Sequence, residues 1–157
     1  MVPIMNKIKI LVGGVFDIIH LGHIKFLWAA KRLAKNSELI VVIARDSTVM
    51  RLKGREPVFS ELERAEIVRN LKPVDKVILG HEISGQGSFY EILKEVKPDI
   101  VVFGYDQKFD EEELAKWAKE NNMSFRIIRL PKFNINGLNS SSQVRRRVIK
   151  LLGHEEK

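Results

Sequence analysis

The sequence predicts a parallel α/β sheet with helices on both of its faces, and three observations predict it. Five short apolar runs, Lys7–Val12, Glu38–Ala44, Lys76–Leu79, Asp99–Phe103 and Phe125–Leu130, alternate with segments of helical periodicity. The second run, Glu-Leu-Ile-Val-Val-Ile-Ala, is apolar almost throughout, the pattern of a strand buried on both faces in a parallel sheet. No internal repeat, low-complexity segment or linker interrupts the 157 residues, so residues 1–157 read as a single domain with one substantial core. The expected architecture is a Rossmann-like, doubly wound parallel sheet of about five strands.

Each connection carries its own signal. From Leu21 to Ala34, the residues Ile24, Leu27, Trp28 and Leu33 recur at near-helical spacing with Lys25, Lys31 and Arg32 between them, which predicts an amphipathic helix. Arg45 to Phe59 is polar, contains Lys53-Gly54-Arg55 and Pro57, and is too long for an idle turn, so it reads as a candidate substrate loop. Ser60-Glu61-Leu62-Glu63 has the capping-box form and opens a helix expected to turn Leu62, Ala65, Val68 and Leu71 inward before Pro73. Gly85-Gln86-Gly87 reads as an ordinary loop ahead of a helix over Phe89–Val96. Asp110 and Glu113 mark the start of the next helix, with Leu114, Trp117 and Ala118 toward the core. Pro131 to Asn139 is a loop, and Ser140-Ser141-Ser142 leads into a last helix ending near Leu152. Trp28 and Trp117 read as core residues.

Composition narrows the function. With no cysteine, thiolate nucleophiles, thiolate metal sites and disulfide frameworks are excluded. No apolar run is long enough to cross a bilayer and the N-terminus lacks a signal-peptide core, so a cytoplasmic protein without membrane contact is expected. The net charge of +7 points to anionic partners, either nucleic acid or polyphosphate. Only Arg145-Arg146-Arg147 with Lys150 forms a block; the remaining excess is scattered among glutamates, which argues against nucleic acid. That block reads as an exposed helix face with one arginine turned toward the site.

The chemistry concentrates where the first strand ends. Gly13-Gly14-Val15-Phe16-Asp17 and then His20-Leu21-Gly22-His23 describe a strand, a tight turn and a helix N-terminus. There, backbone N–H groups and the helix dipole can hold an anion. His20 and His23 lie one helical turn apart, so both imidazoles can serve one point. A single histidine would read as a cap, but capping requires neither two imidazoles nor the glycine between them. Gly14 and Gly22 allow close backbone approach. In a doubly wound sheet the turn after the first strand meets the turn after the fourth, bringing Gly104 and Asp106 to the same crevice. Ser140, Ser141 and Ser142 can add hydroxyl and N–H donors, and Lys53 or Arg55 can close over phosphates. No nucleophile paired with a general base is present, which fits a reaction whose substrate brings its own nucleophile.

The stretch Gly14-Val15-Phe16-Asp17-Ile18-Ile19-His20-Leu21-Gly22-His23 resembles the signature of the cytidylyltransferase-like nucleotidyltransferases. The resemblance spans nearly the whole chain: Lys53 falls at the family's loop lysine, Glu63-Arg64 at its Glu-Arg pair, Gly104-Tyr105-Asp106 at its turn after strand four, and Ser140-Ser141-Ser142 at its hydroxyl-rich motif. It implies that an acceptor phosphate attacks the α-phosphorus of a nucleoside triphosphate and expels pyrophosphate. His20, His23 and Lys53 would be the catalytic residues. Gly14, Val15, Phe16, Asp17, Gly22, Gly104, Asp106, Ser140, Ser141 and Ser142 would bind the nucleotide. A divalent metal, Mg²⁺, is implied without assigned ligands, and a homodimer is common in the family.

Gly104-Tyr105-Asp106-Gln107-Lys108-Phe109, Val42-Ile43-Ala44-Arg45-Asp46 and Lys72-Pro73-Val74-Asp75 look most like the archaeal FAD synthases, which transfer AMP from ATP to FMN. The runner-up, a cytidylyltransferase acting on glycerol phosphate or a related molecule, usually carries an Arg before the glycine of its last motif. Asn134-Ile135-Asn136-Gly137 stands there instead. A non-catalytic nucleotide- or nucleic-acid-binding protein is the reading from another class. Where the family often has Thr before Phe-Asp this chain has Val15, so any contact there comes from the backbone.

Overall fold

Which residues alternate along each strand decides how the two faces are filled. The computed structural model describes residues 5–82 and 87–155, so Gly85 and Gln86 of the expected Gly85-Gln86-Gly87 loop lie outside the described residues, while Gly87 opens a helix instead. The elements are β1 (Ile8–Gly14), α1 (Leu21–Lys31), β2 (Ser37–Ile43), α2 (Asp46–Lys53), α3 (Glu61–Arg69), β3 (Lys76–Leu79), α4 (Gly87–Val96), β4 (Ile100–Phe103), α5 (Glu111–Glu120), β5 (Arg126–Arg129) and α6 (Ser141–Glu155). The strands form one sheet in the order β3-β2-β1-β4-β5, with every pairing parallel. The chain steps outward from β1 to β3, returns, and steps the other way from β4 to β5. The topological switch point therefore lies between β1 and β4, where such sheets bind ligands.

Two cores sandwich the sheet. Ile10, Val12, Leu39, Val41, Ile43 and Val102 face one side and pack with Leu27 and Ala30 of α1 and Ala65 and Val68 of α3. Leu11, Ile40, Val42, Val101 and Phe103 face the other and pack with Ile92 and Leu93 of α4 and Leu114 of α5. Successive side chains of a strand point to opposite faces. Burying both faces is why β2 shows no polar alternation.

Four expectations are corrected. Arg45–Phe59 is not a continuous loop: Asp46–Lys53 forms α2, with an acid in its first turn and Arg51 and Lys53 in its last, as the helix dipole favours. Gly54 ends it at φ 67, a left-handed conformation that glycine adopts without strain, and its N–H bonds the Met50 carbonyl. Leu62 does not face the core but is 68% exposed, and the buried stripe of α3 is Arg64, Ala65 and Val68. Trp28 is half-buried and belongs to neither core, with the Arg32 guanidinium 4.6 Å from the centre of its ring. Trp117 does pack on the second core, stacked on Tyr90. Finally, α6 runs to Glu155 rather than Leu152. The capping box at Ser60 and Glu63 forms as expected, and so does the Asp110 cap of α5.

Candidate active site

At the C-terminal end of the sheet, over the β1/β4 switch point, lies a cavity of about 820 Å³. The turn after β1, the turn after β4, the end of α2 and the start of α6 all contribute to its wall. Every residue expected from the sequence to act or to bind lines it, including His20, His23, Lys53, Gly104, Asp106 and Ser140–Ser142.

The histidines do more than expected at the helix start. The Gly22 N–H donates to His20 Nδ1 (3.1 Å), and the His20 N–H donates to His23 Nδ1 (3.2 Å). Together they form a capping box made of two imidazoles, so capping does use both rings. The rings stack with centroids 3.8 Å apart. Because each Nδ1 accepts a backbone hydrogen bond, a neutral ring carries its proton on Nε2. Burial, followed by the neighbouring His20 and Lys53 charges, pushes His23 down to about 3, against a smaller opposing pull from Asp17. Burial likewise lowers His20. Two neutral N–H donors are thus held side by side at one helix N-terminus. Gly22 makes the arrangement possible, since a Cβ there would lie 2.9 Å from the Asn139 carbonyl oxygen and 2.9 Å from the His20 ring.

The turn before α1 is fastened from several directions. Phe16 adopts φ 49, unusual for a non-glycine residue, and its ring is buried in the first core. A Cβ on Gly14 would lie 2.8 Å from that ring. Asp17 is buried, and its carboxylate accepts the Val58 and Phe59 N–H groups and the Arg145 guanidinium, at 2.8, 3.0 and 2.8 Å. Its oxygens are engaged by the protein, which makes Asp17 a brace for the turn. Arg145 is the arginine of the basic block that turns inward, while Arg146 and Arg147 are exposed.

The opposite wall is held by two residues that sequence reasoning left without a role. The Gly104 N–H donates to Gln107 Oε1, and Gln107 Nε2 donates to the Gly13 carbonyl at 2.9 Å, a bridge across the switch point. Arg129 donates to the carbonyls of Gly104 and Gln107 and pairs with Glu111. Arg129 has no local sequence signature, because it acts on the turn after β4 from more than twenty residues away, and the bridge from Gln107 to Gly13 joins segments 94 residues apart. The Ser140 hydroxyl accepts the Gln143 N–H and caps α6. Lys53, on the last residue of α2, has its ammonium pKa lowered, first by desolvation and then by Arg55 and Arg145, with Asp17 and Asp106 opposing. Cations therefore crowd one side of the cavity and stacked imidazole donors stand on another, an arrangement that suits a polyphosphate.

Among the described residues, no group of three His, Asp or Glu side chains converges as a metal cage, and no helix is long and apolar enough to cross a membrane. Residues 11–147 match the Cytidylyltransferase-like family. A protein of Thermoplasma acidophilum named FAD synthase is 47% identical over 93% of this chain and 97% of its own length. Another of that name, from Korarchaeum cryptofilum, is 47% identical over 94% of this chain and 96% of its own. The crystal structure of a Thermoplasma volcanium protein titled a lipopolysaccharide core biosynthesis protein superposes with a TM-score of 0.74 at 45% identity. It covers 82% of this chain and all of that one. Family match, near full-length identity and the paired imidazoles at the switch point agree: this chain belongs to the cytidylyltransferase-like family.

Proposed function

We propose that the chain transfers AMP from ATP to FMN, giving FAD and pyrophosphate. The observation that carries nucleotidyl transfer is the pair of neutral imidazole donors at a helix N-terminus, opening onto a cavity of about 820 Å³. The flavin acceptor rests on the FAD synthases that match nearly the whole chain. An oxygen of the FMN phosphate attacks the α-phosphorus, forming a new P–O–P bridge. The bond to the β-phosphate oxygen breaks, and pyrophosphate leaves with the electron pair. The attacking oxygen is already anionic, so the protein needs no general base, and placement and charge stabilisation carry the rate.

His20 and His23 donate through Nε2 to the oxygens that gain charge in the transition state, and Lys53 neutralises the triphosphate. The backbone from Gly14 to Phe16, with Gly22, lets phosphate approach closely, braced by Asp17. Gly104 and Asp106 face the nucleoside, and the start of α6 at Ser140, Ser141 and Ser142 offers further donors. The described residues do not fit a resident metal cage, and the Asp17 oxygens are engaged. A divalent cation, Mg²⁺ by preference for phosphate oxygens, would enter on the triphosphate. The reaction is assigned to the cytoplasm. The reading includes a homodimer through the exposed apolar residues Val148, Ile149, Leu151 and Leu152 of α6; sedimentation at the single-chain mass would remove that part.

Incubation with FMN, Mg²⁺ and either ATP or CTP tests the reading, with FAD separated by chromatography. FAD is expected from ATP. A product from CTP and glycerol phosphate, with none from FMN, would sink the flavin assignment.

A further inference from the structure

Among the described residues, the largest fully buried side chain is a charged one. Arg64 is 0% exposed, at the start of the buried stripe of α3 that Ala65 and Val68 continue. A guanidinium is tolerated there only if its donors are matched, and they are matched by a carbonyl just ahead of the helix and by two segments more distant in the chain. Nε donates to the Phe59 carbonyl at 3.0 Å, one terminal nitrogen to the Val15 carbonyl at 2.7 Å, and the other to Asp46 Oδ1 at 2.7 Å. Phe59 is gripped from both sides, since its N–H goes to Asp17. The start of α2 is held twice, because the Asp46 N–H also donates to Glu61.

The bond to Val15 has a consequence for the cavity. Carbonyl and N–H of one trans peptide point in opposite directions. Drawing the Val15 carbonyl inward onto a buried guanidinium turns the N–H of the same peptide, that of Phe16, outward. Val15 and Phe16 line the cavity, and among the described residues no acceptor is found for the Phe16 N–H. The left-handed φ of Phe16 is a conformation the chain would not hold unaided.

We infer that Arg64 is a positioning residue for the transfer reaction: it touches no substrate, but by holding the Val15 carbonyl it aims the Phe16 N–H at a phosphate of the bound triphosphate. The reaction itself rests on the function proposed above. Through Asp46 the same side chain seats the first turn of α2, the helix that carries Lys53. A lysine in place of Arg64 keeps the charge but cannot reach three acceptors in a plane.

The test compares Arg64→Lys with Val68→Ala, a change on the same helix that opens the core without touching this network. In wild-type protein labelled with ¹⁵N, ATP with Mg²⁺ is expected to shift the Phe16 amide resonance. In Arg64→Lys that response is lost and kcat falls by about 10²-fold, the scale of a small misplacement at a reacting centre, with little change in the KM for ATP. Val68→Ala lowers the melting temperature but keeps kcat and the Phe16 response. Asp46→Ala, which removes one of the three arms, gives a smaller loss of the same kind and carries the test if Arg64→Lys does not fold. An unchanged kcat and Phe16 response in the Arg64 and Asp46 variants would overturn the inference. So would an equal loss of kcat in Val68→Ala, or a wild-type Phe16 amide that ignores ATP. Absence of FAD formation by wild-type protein whose Phe16 amide still responds to ATP would remove the flavin reading alone, and the amide comparison would still decide the role of Arg64.

Discussion

Two cavity walls that both offer positive or donor groups are built in opposite ways. The turn from Val15 to His23 is over-determined: Arg64 holds a carbonyl, Asp17 holds two N–H groups and an arginine, and two imidazoles cap the helix that follows. The α2 arm is held at its first residue, by Glu61 and Arg64, and at the buried Val49, while Met50 is 43% and Leu52 69% exposed and the helix ends at Gly54. In the proposed reaction the contrast amounts to a division of labour. Donors that must meet charge developing at one atom gain from rigidity, because misplacement by about 1 Å costs about 10²-fold. A lysine that neutralises a spread triphosphate charge tolerates a looser seat.

The comparison can be broken first at the histidines. His23→Ala or His20→Ala is expected to lower kcat by about 10²–10³-fold, the cost of one transition-state donor, in a steady-state assay of FAD formation. A variant of either histidine that keeps wild-type kcat would refute its assignment. Gly22→Ala comes next. Its Cβ would lie 2.9 Å from the backbone oxygen of Asn139, so α1 and the loop before α6 must part. The expected loss is about 10²-fold in kcat, from displacement of both rings.

On the α2 side the effects are smaller. Lys53→Ala should cost about tenfold, the scale of one charge-assisted hydrogen bond, and appear chiefly in the KM for ATP. A loss confined to kcat would show that Lys53 is positioned as tightly as the histidines.

Stability against pH reports on the rigid wall. An unfolded histidine takes up its proton near its ordinary 6.5, whereas folded His23 does so at about 3. The unfolded state therefore binds more protons in between, and this contribution to stability is present above about pH 6.5 and is lost as pH falls toward 3. Glu63 and Asp75, whose folded pKa values are lowered, add losses in the same direction below the ordinary carboxylate range. Urea midpoints over this range should therefore fall less steeply in His23→Asn than in wild type, and equal slopes would contradict a neutral His23. By the same token kcat should show no titration of His23 between about pH 6 and pH 8, and any titration of His20 should lie below the ordinary imidazole value, because burial lowers it. Smallest of all, Gly54→Ala should cost about 1 kcal/mol in urea unfolding because of its left-handed φ, with kcat unchanged.

What was legible in the sequence was local or periodic. Ser60 and Glu63 announced a cap, and the unbroken apolar run of β2 announced a strand covered on both sides. His20-Leu21-Gly22-His23 announced paired imidazoles at one helix start. Helical spacing alone placed Leu62 inside and gave no reason to place a guanidinium there. Arg64 is buried because its acceptors come from elsewhere, including Val15, 49 residues away. Polar composition likewise hid α2 within a stretch that read as loop.

By itself, then, the sequence determined the strands, the parallel sheet and the residues that line the cavity, since these follow from period, turn chemistry and short motifs. Tertiary structure alone decided what holds them. Asp17 meets Arg145 across 128 residues, Gln107 reaches Gly13 across 94, and Arg64 joins the turn after β1 to α2. A buried charge or carbonyl must find a partner wherever the fold brings one, and spacing along the chain carries no record of that choice.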